Sequence, residues 1–323
     1  MSEPLLVVRD LTREFGHGAR RVRALAGVSL TLDRGQTLGV VGESGSGKTT
    51  LGRAILRLIE PTSGSVRLAG EDLLALSPRA LKRARRRAQI VFQDPFGSLN
   101  PRHTVRHIVG EPLIVHRVGT PESRRERVDA LLAAVGLSPD AGDRFPHEFS
   151  GGQRQRIAIA RAIALDPDLV IADEPVSALD VSIQSQVLNL IADLRHDRGI
   201  AFLFISHDLS VVRHVSDRVA VMYFGRVVEL DETDRLYAQP AHPYTRALLS
   251  AVPRLQGEAG GGERITLEGE LPDPSNPPPG CPFAQRCASV HERCRRDLPG
   301  LVDRLLPDGS QRPVACHLFP TVG

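Results

Sequence analysis

The chain has 323 residues, of which 41% are hydrophobic and 24% are charged, and its formal net charge is +3. This is an ordinary globular composition, and the charge is too small to indicate nucleic-acid binding by itself. No apolar run approaches the roughly 18–20 residues that a membrane-spanning helix needs. Glu3 stands before the first apolar run, which is untypical of a signal peptide, so the sequence predicts a cytosolic location.

Several short strands are predicted in residues 5–70, around a glycine-rich motif. GESGSGKT, residues 42–49, fits the phosphate-binding loop (P-loop) pattern; a buried-strand pattern, TLGVV, precedes it and a helical one, TTLGRAILRLI, follows. Its glycines let backbone N–H groups point at phosphate oxygens, and the helix adds its positive end. Lys48, one of only two lysines, is predicted to neutralise the β- and γ-phosphates, and Thr49 to ligate Mg²⁺. The predicted nucleotide-binding residues of this loop are Gly42, Glu43, Ser44, Gly45, Ser46, Gly47, Lys48, Thr49 and Thr50.

The next stretch is basic and then helical. KRARRR, residues 82–87, is either a nucleic-acid patch or a solvated helix face, and the second interpretation is favoured. Gln93 ends the strand pattern QIVFQ. Residues 94 to about 165 have helical periodicity, interrupted by Pro and Gly signals, so they predict a block of helices.

FSGGQRQRIAIARAIA, residues 149–164, opens a strongly helical segment with Ser150 and two glycines. This pattern indicates a second anion-binding helix N-terminus, about 100 residues after the phosphate loop. One nucleotide needs only one such phosphate-binding helix N-terminus. The second one therefore indicates a second nucleotide.

Two further buried-strand patterns end in polar residues. DLVIADEP, residues 168–175, places Asp173 to hold Mg²⁺ and Glu174 to polarise the water that attacks the γ-phosphate. GIAFLFISHD, residues 199–208, places His207 at a strand end. Since parallel sheets bind ligands beyond the carboxyl ends of their strands, Gln93 and His207 are predicted at the same edge, with His207 contacting the γ-phosphate.

The order of these motifs resembles the ATP-binding cassette (ABC) family, because SGGQ stands between a phosphate loop and a DEP strand. The resemblance covers residues 5 to about 235, with Phe149 in place of the commoner leucine of the signature. It implies an α/β fold of the P-loop NTPase type, the ABC nucleotide-binding domain, with an inserted helical subdomain at about residues 94–165. The groove of that subdomain would receive a membrane partner.

The resemblance also implies roles for single residues. Gln93 would be the Q-loop residue and a further Mg²⁺ contact, and Ser177–Asp180 the D-loop. His207 would be the switch histidine, and Phe15 would stack on adenine. Two cassettes would dimerise head to tail, so that each contacts the ATP held on its partner's phosphate loop through Ser150, Gly151, Gly152, Gln153 and Asp180.

Other P-loop classes fit less well. The chain has no Asn-Lys-x-Asp motif of GTPases and no HRD or DFG stretch of protein kinases. A soluble ABC ATPase that works on nucleic acid or ribosomes stays open as an alternative. Such proteins usually fuse two cassettes or insert long coiled-coil arms, and neither pattern occurs here.

Three stretches, VFQDPFGSLNPRHTV, ADEPVSALDVSIQSQVLNL and AQPAHPYTRALLSAVP, resemble the ATPase subunits of oligopeptide and dipeptide importers, a group that includes nickel importers. EPVSALDVS and LRLIEPTSGSV are most similar to the second ATPase of such systems. The resemblance implies a heterodimer with a second ATPase, two permease subunits and an external solute-binding protein, but no nucleic acid. The chain would bind peripherally at the cytoplasmic face of the membrane, and nickel or another small solute is the alternative cargo.

The last part of the chain predicts a separate extension. Residues 253–280 have the composition of a flexible and then proline-stiffened linker, so the predicted domains are 1–252 and 253–323. All four cysteines, Cys281, Cys287, Cys294 and Cys316, lie in the last 43 residues.

Three explanations of the cysteines stand. Disulfides fit a reduced cytosolic protein poorly, and four unrelated buried thiols are not expected to crowd into a proline-rich tail. Structural zinc, with His291 and His317 as spare ligands, usually shows close Cys pairs that this tail lacks. Iron–sulfur clusters accept four thiolates at varied spacings. The resemblance to the importer ATPases implies a [4Fe–4S] cluster, with Zn²⁺ as the alternative.

Overall fold

The computed structural model describes residues 3–16, 21–252, 265–267, 269 and 272–322. The chain forms two compact units. The first contains Met1–Leu6, Thr31–Thr37 and Arg67–Ile205, and the second contains Val7–Leu30, Leu38–Val66 and Ser206–Gly323. Neither unit is a continuous stretch of sequence. In the part of the chain that is described, no helix is both long and apolar enough to cross a bilayer.

Strands and short helices alternate along most of the chain. The strands are β1 (Leu6–Phe15), β2 (Val22–Leu32), β3 (Thr37–Val41), β4 (Ser63–Leu68), β5 (Glu71–Asp72), β6 (Ala88–Val91), β7 (Leu169–Asp173), β8 (Ala201–Ile205), β9 (Arg218–Tyr223), β10 (Arg226–Glu232), β11 (Val302–Leu305) and β12 (Gln311–Val314). The α-helices are α1 (Lys48–Ile55), α2 (Pro78–Ala84), α3 (Pro95–Ser98), α4 (Val105–Val115), α5 (Pro121–Ala134), α6 (Gly151–Ala162), α7 (Val181–Arg198), α8 (Leu209–Val215), α9 (Thr233–Ala238), α10 (Pro243–Ser250) and α11 (Glu292–Arg296).

In the first unit, β6, β7 and β8 form a parallel sheet in that order. Every residue of β7 and of β8 is buried. Such continuous apolar runs are typical of parallel strands that are covered on both faces. The register pairs Val91 with Ala172 and Asp173 with Ile205, so the three strands end side by side.

Helices α3 to α6 occupy the region where the sequence predicts helices. Thr120 and Ser123 form a capping box at the start of α5, in which each side-chain oxygen accepts the other residue's backbone N–H (3.3 and 2.9 Å). Arg106 on α4 forms ion pairs with Asp129 on α5 and with Asp143 (3.1 Å) in the turn that follows. The helices are thus held to one another by polar contacts as well as by apolar packing.

The basic run KRARRR is only partly helical. Helix α2 ends at Ala84, and Lys82 and Arg83 in its last turn are exposed. Arg87, beyond the helix, forms an ion pair of 2.6 Å with Asp168. At least one charge of the run therefore has a partner within the chain.

In the second unit, β3 pairs in parallel with β9, and β10 continues this sheet antiparallel to β9. β1 pairs with β2 on one side and with β4 on the other. Gly39 lies in the middle of β3, where a Cβ atom would collide with the side chains of Val212 on α8 and of Ser216, the residue that follows α8. Glycine at this position lets α8 pack directly against the strand that leads to the phosphate loop.

The C-terminal extension joins the sheet of the second unit. β12 pairs antiparallel with β11, and also with β10 through Glu229 and Val314. Arg312 on β12 forms a buried ion pair of 2.6 Å with Asp231 on β10. The extension also contributes most of a buried apolar cluster, which consists of Ala241, Leu306, Val314, Cys316 and Phe319. Most of the predicted linker, residues 253–264, 268, 270 and 271, lies outside the described residues.

We expect Asp231→Ala to lower the free energy of unfolding by about 3 kcal/mol, because it leaves the buried guanidinium of Arg312 without its nearest carboxylate. Glu292→Ala is the matched control, since Glu292 pairs with Arg296 at the surface, where both side chains are at least 70% exposed. Denaturant titration measures the free energy of unfolding of both variants and of the parent. Equal stability of the two variants would contradict a structural role for the buried pair.

Candidate functional site

The phosphate loop follows β3 and is shaped by three glycines with positive φ: Gly42 (152°), Gly45 (80°) and Gly47 (102°). A Cβ atom on Gly42 would collide with the carbonyl oxygen of Met222, and one on Gly47 would lie 2.5 Å from the carbonyl oxygen of Ala24. Glycine is required at these positions both for backbone conformation and for space. The loop is therefore held tightly between the ends of neighbouring strands of its own unit.

Lys48, the first residue of α1, folds back over this loop. Its side chain is buried, and Nζ donates hydrogen bonds to the carbonyl oxygens of Gly42 (2.7 Å) and Glu43 (3.0 Å). The first turn of α1 contains no acidic residue. The positive helix end and the ammonium group thus concentrate positive charge at one loop, an arrangement that suits a phosphate group.

Glu43 is fixed by two residues that the sequence analysis missed. Its backbone N–H donates to the hydroxyl oxygen of Tyr244 (2.9 Å), and its carboxylate forms a two-pronged ion pair with Arg286 (2.8 and 3.0 Å). Arg286 lies between Cys281 and Cys287, 243 positions from Glu43. No local pattern indicates such a contact.

In the first unit, the carboxyl ends of β6, β7 and β8 bring polar residues together. Asp173 is 1% exposed, and the backbone N–H of Glu174 donates to Ile205 (2.9 Å). Gln93 Nε2 donates to Glu174 Oε2 (2.8 Å). Glu174 has φ = 48°, a left-handed conformation that is uncommon outside glycine. The predicted neighbourhood of Gln93, Asp173 and Glu174 is present in this unit.

His207 lies beyond the end of β8 and is exposed. The residue before it, Ser206, donates its backbone N–H to Val40 on β3 (3.1 Å). The residue after it, Asp208, caps α8 by accepting the backbone N–H groups of Ser210 (2.9 Å) and Val211 (3.3 Å). Both neighbours of His207 are therefore fixed by hydrogen bonds.

The SGGQ motif opens helix α6 in the first unit. Ser150 is the N-cap, its Oγ accepts the N–H of Gln153 (3.4 Å), and Gln153 Oε1 accepts the N–H of Ser150 (3.0 Å). A Cβ atom on Gly152 would collide with Ile183 on α7, and one on Gly151 would lie 3.5 Å from Leu179. Gly152 thus lets α6 pack closely against the start of α7, whereas a Cβ atom on Gly151 would make an ordinary van der Waals contact.

Two further predicted contacts lie at the surface. Asp180 is the N-cap residue of α7, but its side chain makes no capping hydrogen bond; Val181, the first residue of that helix, is 79% exposed. Phe15, at the end of β1, is 37% exposed, and the Arg13 guanidinium lies 4.4 Å from the centre of its ring. One face of the predicted adenine platform is therefore covered by Arg13, which the sequence analysis did not single out.

The four thiols of the extension lie within electrostatic reach of one another. Burial raises the pKa of Cys281 to about 11, and the other three thiols add to this shift. Burial also raises the pKa values of Cys287 and Cys316. The backbone N–H groups two residues further on, those of Phe283, Ser289 and Leu318, contact these three sulfurs.

Among the residues that the structure describes, no three His, Cys, Asp or Glu side chains are arranged to hold a single metal ion. All four cysteines are free thiols. Of the two candidate spare ligands, His317 Nε2 lies 2.9 Å from the carbonyl oxygen of Asp297, and its ring centre is 6.4 Å from that of His291. The disulfide explanation thus has no support among the four described cysteines.

A phosphate loop, a strand that ends in two acidic residues and a helix that opens with SGGQ define a nucleotide-binding cassette. The sequence model of the ABC transporter family matches residues 25–177, and the model of the "oligopeptide/dipeptide transporter, C-terminal region" matches residues 228–294. The chain belongs to the ABC transporter family, within the branch that carries this C-terminal region.

Curated relatives match along nearly the whole chain. The putative oligopeptide transport ATP-binding protein YkfD of Bacillus subtilis is 51% identical over 98% of this chain and 96% of its own. The oligopeptide transport ATP-binding protein AppF of the same organism and the di/tripeptide transport ATP-binding protein DppF of Pseudomonas aeruginosa are each 51% identical, over 98% of both chains.

Solved structures confirm the predicted fold class. The ATP-binding cassette MJ0796, solved as a dimer in a post-hydrolysis state with ADP and Pi, has a TM-score of 0.65 and 31% identity, over 71% of this chain and 98% of its own. CbiO1 of Clostridium perfringens, part of the transporter complex cbiONQ, has a TM-score of 0.66 and 28% identity, over 74% of this chain and 92% of its own. The chain is an ABC-type ATPase with the P-loop nucleotide-binding fold.

We expect Gly47→Ala to weaken ATP binding by at least ~10-fold, equivalent to about 1.4 kcal/mol, because the new Cβ forces the loop away from Ala24. Gly199→Ala is the matched control. Gly199 also has positive φ (64°) but has open space around it, at the end of α7. This control is expected to lose about 1 kcal/mol of stability and no ATP affinity. Equilibrium binding of a fluorescent ATP analogue distinguishes the two, and equal affinity would contradict the steric argument.

Proposed function

We propose that this chain is the ATP-hydrolysing subunit of a membrane importer of peptides. The observation that carries the proposal is the 51% identity to oligopeptide and di/tripeptide transport ATP-binding proteins over 98% of the chain. The match of residues 228–294 to the oligopeptide/dipeptide transporter C-terminal region supports it independently. An importer of nickel or another small solute and a soluble ATPase acting on nucleic acid or ribosomes are the less favoured alternatives, because these relatives are named for peptide transport.

The phosphate loop would hold the triphosphate of ATP. The residues from Gly42 to Thr50 would form the ATP-binding loop, and their backbone N–H groups and hydroxyls would bind the phosphates, except the N–H of Glu43, which donates to Tyr244. Lys48 would neutralise the β- and γ-phosphates. Phe15 would stack on the adenine. Thr49, Gln93 and Asp173 would hold Mg²⁺, and their hydroxyl, amide and carboxylate oxygens suit this hard cation. When bound, Mg²⁺ would neutralise charge on the phosphate oxygens.

Glu174 would orient and polarise the water that attacks the γ-phosphate. The hydrogen bond from Gln93 to Glu174 (2.8 Å) and the left-handed backbone of Glu174 both fix the direction of this carboxylate. His207 would contact the γ-phosphate, and its fixed neighbours Ser206 and Asp208 would limit its movement. Reaction by attack of water yields ADP and phosphate without a covalent enzyme intermediate.

The chain would work as a head-to-tail dimer with a second, non-identical ATPase. Ser150, Gly151, Gly152, Gln153 and Asp180 would contact the ATP held on the partner's phosphate loop. ATP that is bound by both subunits favours the closed dimer, and hydrolysis removes that preference.

The closing and opening of the ATPase dimer would move two permease subunits. An external solute-binding protein would deliver the peptide to them. In this assembly the chain lies at the cytoplasmic face of the membrane without entering it. We propose residues 1–252 as the nucleotide-binding domain, with a helical subdomain at about 94–165 that contacts a permease, and residues 253–323 as linker and C-terminal extension.

Cys281, Cys287, Cys294 and Cys316 would hold a [4Fe–4S] cluster, with Zn²⁺ as the alternative occupant. The four thiols lie within electrostatic reach of one another, and the backbone N–H groups directed at three of the sulfurs would stabilise their thiolate forms as ligands. Tetrahedral zinc needs thiolates about 3.8 Å apart. A four-iron cluster binds each thiolate at a different iron and accepts a wider spacing. When bound, it would cross-link a segment that has little core of its own.

Glu174→Gln is expected to slow ATP hydrolysis by at least ~10²-fold and to leave ATP binding intact, because the amide cannot accept the proton of the attacking water. Glu126→Gln, the same substitution at an exposed position of α5, is the control and should hydrolyse ATP like the parent. Phosphate release and nucleotide binding are measured on the same samples. If Glu174→Gln hydrolysed ATP at the parent rate, Glu174 would not be the residue that polarises the attacking water.

Protein purified without oxygen is expected to be brown, to absorb broadly near ~400 nm and to contain about four irons per chain. Cys294→Ser should lose the colour and most of the iron, because it removes one of the four thiolates. Elemental analysis and absorbance spectra provide the measurement. A colourless protein with one zinc per chain would show that the four cysteines bind Zn²⁺ and not an iron–sulfur cluster. This result would leave the ATPase proposal intact.

A further inference from the structure

The ion pair between Glu43 and Arg286 joins the phosphate loop to the cysteine segment, residues 280–294. Both guanidinium Nη atoms donate to the carboxylate, at 2.8 and 3.0 Å, and the side chain of Arg286 is only 8% exposed. Two-pronged, charge-assisted contacts of this kind fix direction as well as distance. The carboxylate of Glu43 thus has a defined position.

Arg286 is itself held by an aromatic cluster. Its guanidinium lies 5.9 Å from the ring centre of Tyr223. Phe283, three residues earlier in the cysteine segment, packs edge-on against Tyr223 (5.3 Å) and beside Tyr244 (5.5 Å). Tyr244 accepts the backbone N–H of Glu43. The same cluster therefore positions Glu43 at its backbone and, through Arg286, at its side chain.

The position of this carboxylate matters because the loop binds a polyanion. An unpaired negative charge a few ångströms from a triphosphate opposes its binding, and the repulsion grows where water is excluded. The carbonyl oxygen of Glu43 also accepts hydrogen bonds from Lys48 Nζ (3.0 Å) and from the N–H of Ser46 (3.2 Å). A shift of Glu43 therefore disturbs Lys48, the residue proposed to neutralise the β- and γ-phosphates.

We propose that Arg286 is a positioning residue that neutralises Glu43 and holds its carboxylate away from the bound phosphates. The cysteine segment thereby sets the affinity of the phosphate loop for ATP. This inference rests on the proposed function, since it requires that the loop binds ATP. Thermodynamic linkage makes the effect reciprocal. Bound ATP stabilises the contact of the cysteine segment with the loop by the same free energy by which that contact strengthens ATP binding.

A double-mutant cycle on the full-length chain tests the proposal, with a fluorescent ATP analogue as the probe. Arg286→Gln removes the charge with little change in size, and it should weaken ATP binding about 10-fold because Glu43 is left unpaired. Glu43→Gln keeps the loop backbone and its hydrogen bond to Tyr244 and removes only the carboxylate, which contacts no phosphate in this proposal, so it should bind ATP at least as tightly as the parent. The double variant should recover to within about 3-fold of the parent, since the repelling charge is gone.

Arg293→Ala is the matched control, because Arg293 lies on the same segment, is 62% exposed and pairs with Asp297 at the surface. It should leave the affinity for ATP unchanged. Thermal unfolding without nucleotide shows whether each variant is folded. ATP should raise the midpoint of the parent more than that of Arg286→Gln.

The outcomes separate the two proposals. If the parent does not bind ATP, the proposed function fails. If the parent binds ATP but Arg286→Gln binds it equally well, or if Glu43→Gln does not restore affinity in the double variant, the role of Arg286 is overturned. If Arg286→Gln does not fold, Glu43→Gln decides: a loss of affinity greater than about 3-fold in that variant overturns the proposal.

Discussion

The site depends on one constraint: a loop of eight residues must turn its N–H groups inward while a buried lysine folds back over it. Three positive φ angles, at Gly42, Gly45 and Gly47, make this turn possible. The carbonyl oxygens of Met222 and Ala24 leave no room for side chains at two of them. The ammonium of Lys48 then bonds to carbonyl oxygens within the loop. Neighbouring strands, the aromatic cluster and the C-terminal extension all act on this loop.

Local patterns predicted much of this arrangement. The strands β3, β7 and β8 are five residues long, fully buried and mainly apolar, and each ends in or shortly before the polar residues that the sequence singled out. The apolar strand patterns in the sequence placed Gln93, Asp173 and Glu174 at or just beyond strand ends. Parallel pairing of the strands makes these ends adjacent. The phosphate loop and SGGQ are short motifs whose chemistry resides in consecutive residues, so a sequence suffices to find them.

Contacts between distant parts of the chain had no comparable signal. The ion pair of Glu43 with Arg286 spans 243 positions, and the pairing of β10 with β12 joins residues of the cassette to the far end of the extension. The left-handed backbone of Glu174 was equally hidden, since glutamate has no preference for that conformation. The sequence predicted that the four cysteines act together; the fold brings their thiols within electrostatic reach of one another, and no sequence pattern specified that placement. Tertiary packing decides each of these features, whereas periodicity and motifs report only on neighbours along the chain.

The division of the chain into two interleaved units has a consequence for biosynthesis. The phosphate loop is complete once residue 49 has been made, but its unit also needs residues 206–323. β3 must wait for β9, residues 218–223, before its parallel partner on that side exists, and Glu43 must wait longer for Arg286. Until then the apolar edge of β3 is unpaired, and such edges are prone to aggregation in partly made chains. The phosphate loop, encoded early, therefore gains its last contact only near the end of synthesis, and a chain released before the extension is made lacks Arg286, the ion-pair partner of Glu43.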